Sequence, residues 1–180
     1  MSEYALASGD RTYAEKALDL FKRILRNLAT PGLLEPKYLP TLQARGHSIT
    51  MILINTASRI RAAISDPILD TQINESIAAI RRYFMHPEFK ALLEMVGLDG
   101  ELIDTCNGRV INPGHCIETA WFILEEAKHR HWDKDLVQMG IRILEWSWEW
   151  GWDKEYGGII NFRDCRNFPV QDYSQDMKFW

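Results

Sequence analysis

Apolar residues recur at steps of three and four along most of the chain, the period of a helix with one buried face. Tyr13, Ala17, Leu20, Phe21, Ile24, Leu25 and Leu28 form such a stripe and predict a helix over Thr12–Leu28. The breaker Gly9-Asp10 opens it and Thr30-Pro31-Gly32 closes it. Tyr4–Ala7 reads as the tail of an earlier helix, and Pro36 and Pro40 hold an extended connection as far as His47. A second helix is predicted over Ser48–Ser65, apolar nearly all round in Ile49-Thr50-Met51-Ile52-Leu53-Ile54 and so buried on most sides. Asp66-Pro67 separates it from a third, Leu69–Met85, striped by Ile73, Ile77, Ile80 and Phe84. A fourth follows Pro113-Gly114 over His115–His129. A fifth covers Asp133–Trp146, with Asp133 as cap and Leu136, Val137, Ile141 and Leu144 facing inward.

Three segments read as strands. Ala91–Val96 and Glu101–Asp104 flank Gly97-Leu98-Asp99-Gly100 and predict a hairpin, and Gly157–Phe162 is a further strand-like piece. The pattern is one of helical hairpins with short strands on some connections. A helical repeat array and a helical toroid both satisfy it, although no fixed repeat period stands out.

Composition narrows the function more than the fold. Of the 180 residues 46% are hydrophobic and 26% charged, which excludes a disordered chain and supports one domain over 1–180. The net charge is −4 and the 21 basic residues are scattered, so no nucleic-acid partner is expected. No apolar run approaches the roughly 20 residues of a membrane span, and no membrane partner is expected. The start Met1-Ser2-Glu3-Tyr4-Ala5 has neither the basic nor the apolar stretch of a signal peptide, which makes a cytoplasmic protein the expectation. Cys106, Cys116 and Cys165 are far apart without a CxxC, indicating neither a disulfide framework nor a metal site.

The chemistry concentrates in Gly108-Arg109-Val110-Ile111-Asn112-Pro113-Gly114-His115-Cys116-Ile117-Glu118. A glycine-bearing turn there runs into a helix start, with His115 in the first turn and Glu118 three residues on, on the same face. The positive end of a helix lowers the pKa of a nearby imidazole and can stabilise a developing oxyanion; a carboxylate beside the ring acts the other way and can fix its tautomer. Such a construction suits a proton-transfer base near neutral pH. The bland alternative, a surface or capping histidine, satisfies the spacing equally.

The same segment resembles the GRxxNPGHxIE signature of the N-acylglucosamine 2-epimerase family. Gly151-Trp152-Asp153-Lys154-Glu155-Tyr156-Gly157-Gly158-Ile159 is similar to that family's GWDxEYGG segment, and Asp176-Met177-Lys178-Phe179-Trp180 to the opening of its DMKxWWPHxE segment. The resemblance implies an all-α (α/α)6 toroid, incomplete here at about half of its twelve helices, with short strand-bearing loops shaping a sugar cleft. It further implies a sugar 2-epimerase that interconverts N-acetylglucosamine and N-acetylmannosamine, or related aldoses, without a cofactor. A small-molecule sugar is then the partner, and a homodimer is among the assemblies expected of the full-length protein. Members are about twice this length, carry an active-site arginine upstream and a second catalytic histidine downstream, and the chain is read as an interior fragment inactive by itself.

By that resemblance His115 is a catalytic proton-transfer group. Glu118 orients or tunes it, or contacts sugar hydroxyls. Arg109 holds the loop or stabilises an enediolate, Trp180 is a substrate ligand by its motif, and His47, at the start of the apolar helix, is a candidate facing the same cleft. Trp146, Trp148, Trp150 and Trp152 recur every second residue; a sugar-stacking platform is one reading and a packed helix terminus the other. Two other functions remain open: aldose–ketose isomerisation, which returns the proton to C1, and a non-catalytic helical-repeat interaction module.

Overall fold

The computed structural model describes residues 1–34 and 41–169 and the backbone of 178 and 179. The chain forms two compact units, one of residues 1–43 and 52–76, the other of residues 44–51 and 77–180.

The first unit holds α1 (Ser2–Ser8), α2 (Arg11–Ala29), most of α3 (His47–Ala63) and most of α4 (Pro67–Ala79). Gly9 ends α1 in the left-handed conformation at φ 75°, and the Asp10 side chain then accepts from Thr12 N–H to start α2. Among the residues of this unit, Phe21, Ile54, Ala57, Leu69 and Ile73 are fully buried. The apolar run of α3 is less enclosed than its composition suggests: Met51, Leu53 and Ile54 are buried, whereas Ile49 and Ile52 are exposed.

The second unit carries the histidine-bearing segments. The helix predicted to reach Met85 ends as α at Ala79 and continues as a π-helical turn over Ile80–Phe84. That wider turn sets Phe84 against the His47 ring at 5.5 Å. The strands are two-residue antiparallel ribbons: β1 (Arg45–Gly46) with β4 (Met95–Val96), β2 (Met85–His86) with β3 (Ala91–Leu92), β5 (Val110–Ile111) with β7 (Arg163–Asp164), and β6 (Ile159–Ile160) with β8 (Lys178–Phe179). The expected 91–104 hairpin does not form. Its turn exists, with Gly97 N–H donating to Glu101 O at 2.9 Å, but 101–104 is irregular and the two halves of 91–96 pair elsewhere, Ala91–Leu92 with the preceding Met85–His86 and Met95–Val96 with the distant Arg45–Gly46.

Helices α5 (Pro113–His129) and α6 (Lys134–Gly151) pack along each other. Gly140 makes this possible, because a Cβ there would stand 2.7 Å from the Leu124 side chain. The inward face of α6 is Leu136, Met139, Gly140, Ile143 and Ser147; Ile141, expected on it, is exposed, and the face is centred on the glycine instead. The tryptophans of alternating spacing lie on α6 and its C-cap, where Trp148 and Trp152, four apart, stack at 4.8 Å and 10°.

Candidate active site

Asn112 begins the site. Its backbone is extended (φ −108°, ψ 96°), as the following proline favours, and its side chain accepts from His115 N–H at 3.1 Å. Pro113 occupies the first helical position, where the missing N–H costs nothing. Together they fix His115 in the first turn of α5, at its positive end.

Glu94 meets His115 there. Its Oε1 lies 3.0 Å from His115 Nδ1 and 3.5 Å from His47 Nδ1, so two imidazoles face one carboxylate oxygen. The main chain holds the same groups: His47 N–H donates to Glu94 O at 3.0 Å, and Glu94 N–H to Val110 O at 3.2 Å. Thr119, one turn along α5 from His115, donates its hydroxyl to His115 O at 2.8 Å and stands 3.0 Å from His47 Nε2. Burial is graded across the group. His47 and Thr119 have no exposed surface, Glu94 is mostly buried, and the His115 side chain is 38% exposed.

Burial by itself raises the Glu94 pKa. The hydrogen bond from His115, then the adjoining His47 imidazole, and the charge of either ring when protonated outweigh it, and the carboxyl is held down at about 2. Glu94 is therefore an anion throughout the neutral range. Its oxygen beside Nδ1 favours the His115 tautomer that carries its hydrogen there.

Arg109 is placed as a loop clasp. Its Nε donates to Asp164 Oδ2 and its Nη1 to Asp104 Oδ1, both at 2.8 Å, and its guanidinium lies 4.9 Å from the Phe168 ring centre. Two carboxylates and an aromatic face thus occupy this side chain, in keeping with holding the loop. Glu118 is exposed on α5, and the carboxylate found on His115 Nδ1 is that of Glu94. His47, expected to face the cleft, has no exposed surface, and its nitrogens face Glu94 and Thr119. Trp180 lies outside the described residues. Sequence reasoning passed over Glu94 and Thr119. A lone carboxylate inside the apolar run Ala91–Val96 was the available signal for the first. Among the described residues no group of three or more histidine, cysteine or acidic side chains is arranged to hold a metal ion, and no helix is long and apolar enough to cross a membrane.

The fold is that of the (α/α)6 sugar epimerases. A sugar epimerase from a ruminal bacterium superposes with a TM-score of 0.74 at 18% identity, over 94% of this chain and 46% of that one. A D-mannose isomerase superposes at 0.60 and 17% identity, over 76% and 36%. The sequence model of the N-acylglucosamine 2-epimerase (GlcNAc 2-epimerase) family matches residues 4–180, and the chain belongs to this family. It is 27% identical over 185 residues to the N-acylglucosamine 2-epimerase of Bos taurus and 28% identical over 190 residues to that of Homo sapiens. The whole chain aligns in each case, spanning 43% of the relative's length.

Proposed function

We propose that the complete protein epimerises an N-acylated aldose such as N-acetylglucosamine or N-acetylmannosamine at C2, with His115 as one of its two proton-transfer groups. The observation that carries this is Glu94 Oε1 at 3.0 Å from His115 Nδ1 on a half-exposed ring at a helix N-terminus. Ring opening exposes the C1 carbonyl and makes the C2 proton acidic. Neutral His115 accepts that proton on Nε2 and becomes an imidazolium, whose charge Glu94 offsets, while the electron pair forms the C1–C2 double bond and the C1 carbonyl pair moves onto oxygen, giving an enolate that keeps the acylamino group on C2. Reprotonation from the opposite face gives the epimer and requires a second group. Buried His47 does not reach substrate, so that group is one outside the described site. The 180-residue chain alone is accordingly expected to be inactive. Glu118, exposed on the same helix, is assigned to sugar hydroxyls.

Aldose–ketose isomerisation starts with the same removal of the C2 proton but needs a C2 hydroxyl, passes through an enediolate and returns the proton to C1. The test is to incubate the complete protein with N-acetylmannosamine in D2O. Deuterium at C2 of N-acetylglucosamine, lost in His115→Asn, supports the proposal; ketose formation from mannose without C2 exchange of the N-acetyl sugars replaces it with the isomerase.

A further inference from the structure

The Thr119 hydroxyl has one hydrogen and two neighbours. The His115 carbonyl, at 2.8 Å, only accepts, so the hydrogen points to it, as helical threonines often direct theirs one turn back. Towards His47 Nε2, at 3.0 Å, the hydroxyl oxygen is then the acceptor, and Nε2 carries the hydrogen. A neutral imidazole has only one N–H. His47 Nδ1 is therefore a bare lone pair, and its geometry agrees: it is buried, makes no hydrogen bond, and stands 3.5 Å from Glu94 Oε1. The opposite tautomer would place an N–H against the oxygen that His115 uses.

We infer that Thr119 is a positioning residue that holds neutral His47 in its Nε2–H form, reserving Glu94 Oε1 for His115 Nδ1–H. Thr119 touches no reacting atom; it acts through His47 and Glu94. The importance of this for turnover rests on the proposed role of His115, while the tautomer itself does not. Without the threonine acceptor, His47 gains by moving its hydrogen to Nδ1 and donating to Glu94. The carboxylate is then divided between two donors, and His115 loses the anchor of its tautomer and ring orientation.

The experiment is imidazole 1H–15N correlation spectroscopy of the 15N-histidine-labelled chain at pH 8, for wild type, Thr119→Ser and Thr119→Val. The expected result is a neutral His47 protonated on Nε2 in wild type and Thr119→Ser, and on Nδ1 in Thr119→Val. A wild-type His47 carrying hydrogen on Nδ1, as a neutral ring or a cation, overturns the inference, and does so even where the valine variant fails to fold. A Thr119→Val protein that keeps the Nε2–H form overturns it as well. In the complete protein, Thr119→Val is expected to lower kcat for C2 exchange about tenfold with little change in KM, and Thr119→Ser to restore it. Absence of C2 exchange in the wild type would sink the epimerase proposal and leave the spectroscopic result standing.

Discussion

Glu94 and His115 are 21 residues apart in sequence and 3.0 Å apart at Oε1 and Nδ1, joined across a strand-like segment and a helix start that share no local motif. An ionised, mostly buried carboxylate in this position governs which nitrogen of the neighbouring ring carries the hydrogen.

The depressed Glu94 pKa makes a signed prediction for stability. The folded carboxyl stays ionised down to about pH 2, while the unfolded one protonates near 4.5. Between these values the unfolded chain binds more protons, so stability falls as pH drops from 4.5 towards 2. Two and a half units correspond to roughly 3 kcal/mol as an upper figure. Urea midpoints measured against pH for wild type and Glu94→Gln should converge as the medium is acidified through this window. Parallel curves would show that the imidazoles do not stabilise the anion.

Asn112→Ala removes the acceptor of His115 N–H and should cost about 1 kcal/mol, the usual value of such a cap. The first turn of α5 carries His115, so the loss should also appear as chemical-shift changes at His115 larger than those at Ala127, far along the helix. Asn112→Asp, which keeps the acceptor, should retain the wild-type midpoint within a few tenths of a kcal/mol.

Gly108→Ala should be far more damaging than a loop position implies, because Gly108 is buried. A Cβ there would lie 2.0 Å from Ile103 O and 2.7 Å from Ile103 Cβ, and backbone cannot swing aside as a side chain can. The loop must open, which pulls Arg109 from Asp104 and Asp164. A loss of about 1–3 kcal/mol or more is expected, measured by chemical denaturation. Gly97→Ala meets only the flexible end of Glu101 and should cost less.

The three thiols should react unequally. Burial pushes the Cys116 thiol well above its ordinary pKa and Cys165 up to about 11, and both side chains are enclosed. Cys106 is half-buried. A chromogenic disulfide at pH 8 should titrate one thiol quickly in the folded chain and three in denaturant; Cys106→Ser should abolish the fast phase.

Helix positions were readable where capping chemistry was written locally. The breaker Gly9-Asp10, the Pro113-Gly114 turn and the Asp133 cap announce α2, α5 and α6, and the structure starts each within a residue or two of the expected place. Features that depend on distant partners were not readable. Ala91–Val96 looks like one strand, yet Leu93 and Glu94 divide it, because Leu92 pairs with Met85 and Met95 with Gly46. The inward face of α6 was rotated in expectation because hydrophobicity points to Ile141, whereas close helix approach selects Gly140. His115 was legible from its turn; its partner Glu94 was not, since an isolated glutamate carries no spacing that names the residue it will meet.

The peptide of Glu94 acts as a rivet for the site. Its carbonyl receives His47 N–H and its own N–H reaches Val110 O, so three chain segments meet at one residue's backbone. The spacing of the two imidazoles is consequently a main-chain property, and no single segment can fray without releasing the others. In amide hydrogen exchange, His47 and Glu94 should open together in one cooperative event. Glu94→Gln should keep that shared opening even as it removes the charge, separating the mechanical contribution of this residue from its electrostatic one.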